Sequence, residues 1–439
     1  MNKPESSSAR CMERPGGKVQ SNIGRGRRNP VEFGAQAPGM NRRHLLKLGS
    51  AAFLSAGVAG RLFAAPISGP RFLLVFLRGG YDSTNLLIPY SSSYYYEARP
   101  NIAIARPDSA SRTGALALTA DWALAPAVRD TVGAMYLQRQ VAFIPFAGTD
   151  DLSRSHFETQ DSIELGQPLN SAHNYRSGFL GRLSDALLGS GNGAAPIAFT
   201  DALPIAFEGA NTVPNLSLKS VGKPPFDERQ TRILSDMYAG HHLETAVKDG
   251  LDLRQQVAQE MADEMRTANR DAINTKGFEL EAERMGRLMR DKYRIGFIDV
   301  GGWDTHVAEG AAQGTLPSNL ASLGRGLQVF SQSLGAEWNN TVVVVLSEFG
   351  RTFRENGNRG TDHGHGTVYW VLGGAIDGGR IAGKQQRVSR DTLFQDRDFP
   401  VLNDYRAVLG GLFRTLWGLS AEQSTRVFPQ AAPTDLKLI

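Results

Sequence analysis

Cysteine is almost missing from this sequence. Among 439 residues there is one cysteine, Cys11, and it lies in an N-terminal stretch, 1–39, with no apolar periodicity. Beyond that stretch the chain has neither a thiol nor a disulfide, so its fold must hold by core packing. A chain of roughly 370 residues is long enough for that. Long hydrophobic runs are missing too. The apolar run from Leu48 to Gly60 is too short and too rich in small residues to span a bilayer, and no transmembrane segment follows it. No Gly-x-Gly-x-x-Gly follows a strand-like run; "FLRGGYD" has two adjacent glycines without that spacing. With no dinucleotide, flavin or haem signature, a redox enzyme is the weakest reading. There is no internal repeat. The formal net charge of +4 is unevenly placed, because residues 1–39 hold seven Lys/Arg against three Asp/Glu and residues 40–65 hold four more basic residues. Without both segments acidic side chains outnumber basic ones, so charge gives no ground for a nucleic-acid partner.

Residues 1–39, rich in Ser, Gly, Pro and Arg, read as a disordered leader. Met40 to Pro66, "MNRRHLLKLGSAAFLSAGVAGRLFAAP", then has a basic start, a short apolar run and small residues at its end, the layout of an export signal. "NRRHLLK" resembles the twin-arginine signal, with Asn41 in the usual Ser/Thr place and Leu45 where Phe is common. Met40 directly precedes it and is the expected true start. The expected organisation is a leader or mis-assigned start over 1–39, a twin-arginine signal over 40–65 and a folded domain over 66–439. The twin-arginine export machinery is then a partner, and the protein is periplasmic or extracellular.

Six apolar runs read as buried strands: 71–77, 140–148, 195–200, 294–300, 341–347 and 367–376. Helical patterns lie between them at 121–138, 176–189, 227–240, 317–335 and 404–417, and 243–273 reads as a charged, amphipathic surface helix pair. Strands alternating with helices predict an α/β fold, a mostly parallel central sheet sandwiched between helices.

Ligands in such sheets bind beyond the carboxyl ends of the strands, so the residues after each strand matter most. "RGGYD" ends in Asp82. "GGWDTH" brings Asp304 and His306, whose i, i+2 spacing in extended chain faces both to one side. "EFGRT" brings Glu348 and Arg351, and "TDDLSRSHFE" brings Ser153, Ser155 and His156. Each has a bland alternative. Asp82 after two glycines fits a turn. Ser155 with Glu158 fits a helix capping box as well as a nucleophile, and both readings can hold. Arg351 fits a pair with Glu348 or a bidentate grip on an anion. "GTDHGHG" (360–366) adds Asp362, His363 and His365, which as structural histidines would bond backbone carbonyls and as ligands suit Zn, Mn or Fe better than Ca or Mg alone. The metal-ligand inventory is Asp82, Asp304, His306, Glu348, Asp362, His363 and His365, enough for one or two divalent ions.

With these residues assembled, the chain resembles the twin-arginine-exported family called domain of unknown function 1501. The stretches that carry the likeness are "FLRGGYDSTNLLIPY", "SRSHFETQD", "GGWDTH", "SEFGRTFRENGNRGTDHGHG" and "VLGGAIDGGRIAG". That family is placed near the alkaline phosphatase and sulfatase superfamily, whose members are exported hydrolases and mutases with two metal sites. The resemblance implies that fold, with residues 203–292 as a helical cap or insertion. It implies Asp82, Asp304, His306 and one of His363 and His365 as ligands, with Glu348 where an Asp-His pair normally sits. The "SRSHFE" segment falls where the superfamily nucleophile starts a helix. Two departures stand out: the Asp304–His306 spacing is two rather than four, and Phe349 occupies the place of a histidine ligand. The resulting expectation is a metal-dependent hydrolase of an anionic small-molecule or polymer ester, phosphate or sulfate. Ser155 or water would attack, and Arg351 or His156 would hold the anionic oxygens. The alternative is a catalytically degenerate binding or interaction protein on the same fold.

Overall fold

Alternation along β1 (Arg71–Leu77) organises the molecule. All seven residues are buried, and successive side chains of a strand point to opposite faces. Phe72, Leu74 and Phe76 enter one apolar cluster, Leu73, Val75 and Leu77 another. A sheet buried on both faces needs a helical layer on each, and both are present. The computed structural model describes residues 69–190, 193–210, 212–216, 228–249, 251 and 278–439. The leader, Cys11, the signal segment 40–65 and most of 243–273 lie outside the described residues.

The remaining strands, in chain order, are β2 (Leu87–Ile88), β3 (Leu116–Ala117), β4 (Ala123–Leu124), β5 (Val141–Gly148), β6 (Pro196–Ala198), β7 (Ile295–Val300), β8 (Thr341–Ser347), β9 (Thr367–Leu372), β10 (Arg380–Ile381) and β11 (Asn403–Asp404). The central sheet has the order β10-β5-β9-β8-β1-β7-β6, with β11 also on β5, while β2, β4 and β3 form a small antiparallel sheet. Every pairing in the central sheet is parallel except those of β9, which runs antiparallel to β5 and to β8. The labelled helices are α1 (His156–Leu165), α2 (Phe179–Gly189), α3 (Phe278–Asp291), α4 (Thr315–Leu334), α5 (Tyr405–Trp417) and α6 (Ala421–Val427).

One face carries Met285 and Met289 of α3 and Leu320, Leu323 and Leu327 of α4; the other carries Phe179 and Leu183 of α2, Leu409 and Phe413 of α5 and Val427 of α6. Each such side chain contributes about 1.5–3 kcal/mol relative to exposure. The expected mostly parallel sheet between helices is therefore what the chain forms. No helix among the described residues is long and apolar enough to cross a membrane.

Two expectations are modified. The stretch 121–138 is not one helix: β4 takes Ala123–Leu124, a 3₁₀ turn starts at Pro126, a wide turn follows over Arg129–Gly133, and only Ala134–Leu137 is α-helical. Pro126 lacks an N–H and fits only the first turn of a helix, so none can run through it. Of the segment 203–292 read as a cap, α3 is the last part, and its Met285 and Met289 pack into the core beneath the sheet.

Candidate metal centre

The antiparallel run of β9 decides where the site forms. Parallel strands bring residues that follow them to one edge of the sheet, whereas an antiparallel strand brings the residues that precede it. Thr367 pairs with Ala147 at the end of β5, so the loop 360–366 before β9 meets the loops after β1, β5, β7 and β8.

Asp304 lies at the middle of that meeting. It follows β7, and its loop sits tightly under the turn after β1: a Cβ on Gly79, at φ +124°, would stand 2.8 Å from the Asp304 nitrogen. One oxygen, Oδ1, receives Arg351 and lies 2.9 Å from His306 Nε2 and 3.3 Å from His363 Nε2. The other, Oδ2, lies 3.6 Å from His156 Nε2. His306 Nε2 and His363 Nε2 are 3.1 Å apart. Four donor atoms thus converge from two loops and a helix start.

What holds each imidazole fixes its proton. His156 Nδ1 is 2.7 Å from Glu348 Oε1, His306 Nδ1 is 3.2 Å from Asp362 Oδ1, and His363 Nδ1 is 3.0 Å from the carbonyl of Arg154. All three partners can only accept when the carboxylates are ionised. These contacts suit an N–H at Nδ1 of each ring, while on its other side His306 Nε2 faces Asp304 Oδ1 at 2.9 Å and Arg351 Nη1 at 3.4 Å. His156 Nε2, His363 Nε2 and a carboxylate oxygen of Asp304 lie within 4.8 Å of one another. His156 Nε2 is buried with no hydrogen-bond partner. The Arg351 guanidinium reaches Asp304 Oδ1 and, at 3.4 Å, His306 Nε2, and a carboxylate or carbonyl behind Nδ1 is how protein metal ligands are held. Donor atoms on a tetrahedral zinc at about 2.0–2.1 Å are roughly 3.3 Å apart, close to the separations seen here. Three imidazoles and one carboxylate fit Zn, Mn or Fe and suit Ca or Mg poorly.

Electrostatics follows the same pattern. The hydrogen bond that His156 donates to Glu348 raises the histidine's pKa above the ordinary imidazole value despite partial burial. Burial, then the nearby charge of His156, lowers that of His363. Burial pushes Asp304 up, but Arg351 outweighs it and the carboxyl stays below its usual range. Glu348 is fully buried and well supplied. Gly79 N and Gln160 Nε2 donate to Oε1 at 2.8 Å each, and Ser347 Oγ donates to Oε2 at 2.9 Å. Burial raises its pKa, yet the bonds from His156 and Gln160 bring it below the usual value. His156 opens α1 and Gln160 lies one turn on, so the i, i+4 face of the helix grips one carboxylate.

The residues singled out from sequence separate into groups. Asp304, His306 and His363, expected as ligands, come together. His156, expected to hold substrate oxygens, joins them. Glu348 and Asp362, expected as ligands, stand behind His156 and His306 instead, and Asn356 with His306 keeps Asp362 below the usual carboxylate range. Phe349 packs its ring 5.0 Å from that of His156 and 5.1 Å from that of His363, a wall that sets both ring planes.

Asp82 and His365, expected as ligands, lie away from this cluster, and Arg351 and Ser155, expected as catalytic, make structural bonds. Asp82 is completely buried against Arg99, with Arg99 Nη2 3.0 Å from Oδ1; burial raises its pKa but the guanidinium holds it low. His365 is buried beside Phe394, with ring centroids 5.0 Å apart, and burial lowers its pKa. Arg351 does not reach outward. Its guanidinium meets the carbonyls of Gly79, Gly80, Trp303 and Thr361 as well as Asp304, which braces the turns after β1, β7 and β8. Ser155 Oγ caps α1 by accepting from Glu158 N at 3.5 Å, and Ser153 Oγ lies 3.3 Å from Thr159 Oγ1.

Comparison with known proteins gives a family and a set of distant likenesses. The family model described as "Protein of unknown function (DUF1501)" matches residues 70–428. No curated protein matches the chain. Among solved structures, Ps i-CgsB aligns over 84% of this chain and 76% of its own, at 11% identity and TM-score 0.36. The lipoteichoic acid synthase LtaP from Listeria monocytogenes aligns over the same shares at 11% identity and TM-score 0.34. A protein in the alkaline phosphatase superfamily from Vibrio parahaemolyticus aligns over 70% of this chain and 60% of its own, at 10% identity and TM-score 0.30.

Proposed function

The chain belongs to the DUF1501 family, and from that premise we propose that it is an exported, metal-dependent hydrolase of a phosphate or sulfate ester, working in the periplasm or outside the cell. The observation that carries this reading is the cluster of His156, Asp304 and His363, whose ligand atoms lie within 4.8 Å of one another, with His306 Nε2 2.9 Å from Asp304 Oδ1 beside it. His156, Asp304, His306 and His363 would hold one divalent ion. When bound, such an ion polarises an ester oxygen and lowers the pKa of water. The chain's own residues do the rest. Glu348, Asp362 and the Arg154 carbonyl hold the Nδ1 protons and keep Nε2 available. Phe349 excludes water from one side of the rings. Arg351 keeps Asp304 ionised and fixes the turns around it. Ser155 caps its helix, so attack falls to water at phosphorus or sulfur, with the alcohol leaving and taking up the proton.

Metal analysis tests this directly. Purified protein is expected to carry about one equivalent of Zn, Mn or Fe, because the candidate ligands form one cluster with room for a water, and His363→Ala or Asp304→Ala lowers it. A metal-free preparation that cannot be reloaded sinks the hydrolase reading. Turnover of aryl phosphate and aryl sulfate panels then separates it from a second reading, a non-catalytic binding protein. That second reading draws on the full engagement of Arg351 and Ser155, which leaves neither facing a substrate. Metal uptake with no ester cleaved would favour it.

A further inference from the structure

Glu309 is not among the residues that the sequence marks, yet it is buried completely beside the metal centre. Its Oε2 accepts from Thr305 Oγ1 at 3.0 Å and from Thr361 Oγ1 at 2.9 Å. Thr305 stands between Asp304 and His306, and Thr361 precedes Asp362 and His363. One carboxyl oxygen therefore joins the two loops that carry three of the four convergent donor atoms. Backbone bonds run alongside: Thr361 N to Thr305 O at 3.2 Å, Ala308 N to Asn358 O at 3.0 Å and Glu309 N to Arg359 O at 3.0 Å. The loops are already at their closest approach, because a Cβ on Gly360 would lie 2.4 Å from the His306 carbonyl carbon.

The far oxygen, Oε1, meets no donor. Its ionisable neighbour is Asp82, which Arg99 holds ionised. A second carboxylate there would set two like charges together away from water, which is costly. Burial first, and the charge of Asp82 second, push the Glu309 pKa well above the usual carboxyl range. As a neutral acid it donates its proton to Asp82 and keeps both lone pairs of Oε2 for the two threonine hydroxyls.

We infer that Glu309 is the positioning residue of the metal centre, a buried acid that sets the separation of the Asp304–His306 loop from the Asp362–His363 loop. This rests on the metal reading of the cluster. Two measurements on the full chain test it: zinc affinity by chelator competition, and hydrogen exchange of residues 303–309 and 358–364 in metal-free protein. Glu309→Ala, and the double variant Thr305→Val with Thr361→Val, are expected to weaken zinc binding about 10–100-fold, the usual effect of losing a second-shell partner, and to speed exchange in both loops. Glu309→Gln keeps an oxygen for the hydroxyls and an N–H for Asp82, and stays close to wild type. The valine pair leaves the acid in place, so it reports even if Glu309→Ala does not fold. Exchange in metal-free protein reads the clasp by itself. A wild type that takes up no zinc overturns the metal reading, whereas unchanged exchange and affinity in the folded valine pair overturn the role of Glu309.

Discussion

Two neighbouring strands end in the same pattern and put its aspartate to opposite uses. Gly79-Gly80-Tyr81-Asp82 follows β1, and Gly301-Gly302-Trp303-Asp304 follows β7, its parallel partner. The two aromatic rings even meet edge-on, 6.0 Å apart. Yet the Asp82 side chain is fully sealed with Arg99, whereas that of Asp304 is 46% exposed among three imidazoles. The difference comes from what other segments deliver. Arg99 takes both oxygens of Asp82, while Arg351 takes only Oδ1 of Asp304 and leaves Oδ2 open. The Asp82 charge serves the fold; the Asp304 charge remains open to a ligand.

The strongest way to break this comparison is to remove the cation on the sealed side. Arg99→Leu leaves Asp82 buried and unpaired, and is expected to lower the free energy of unfolding by about 3–5 kcal/mol, read from urea denaturation. His363→Ala, on the open side, should leave metal-free stability within about 0.5 kcal/mol of wild type while reducing bound metal. Equal losses of stability in both would dissolve the distinction.

A middle-sized effect belongs to Glu348. Glu348→Gln is expected to weaken metal binding about 10–100-fold. It should also shift the pH profile. Glu348 raises the His156 pKa, so in metal-free protein His156 contributes stability that is present at low pH and fades as pH rises through the raised value. A metal must displace that proton, so affinity falls as pH drops, starting above the ordinary imidazole range. Removing the carboxylate charge lowers the His156 pKa and moves that fall to lower pH. An unchanged profile would mean that His156 is not a ligand. The smallest effect is at Ser155: Ser155→Ala removes an N-cap worth about 1 kcal/mol and leaves metal content and turnover intact. Abolished turnover with metal retained would instead make its hydroxyl the nucleophile.

The strands were legible because fully buried strands are continuous apolar runs; β1 and β8 have the bounds that the runs give. The antiparallel direction of β9 was not, since "TVYWVL" is equally apolar read either way. At the site, strand-end position identified Asp304, His306 and His363. It could not separate ligands from the groups behind them, because a carboxylate after a strand reads alike whether it faces an ion or a histidine. His156 shows this most clearly: only the packing of α1 over Glu348 turns its Nε2 inward. Glu309 and Arg99 gave no signal, being isolated charges in loops whose partners lie far away in sequence.

The direction of β9 also bears on how the molecule reaches its native state. Among the described ladders of the central sheet, β8 with β9 joins the strands nearest in sequence, while β1 with β8 and β5 with β9 bridge more than two hundred residues. Loop-closure entropy grows with the length of chain enclosed, so the β8–β9 ladder is the least costly to close. The segment it encloses, 348–366, carries Glu348, Phe349, Arg351, Asp362, His363 and His365. Half of the site is thereby gathered by the most local contact in the sheet, ready to receive Asp304 and His156 when the long-range strands arrive.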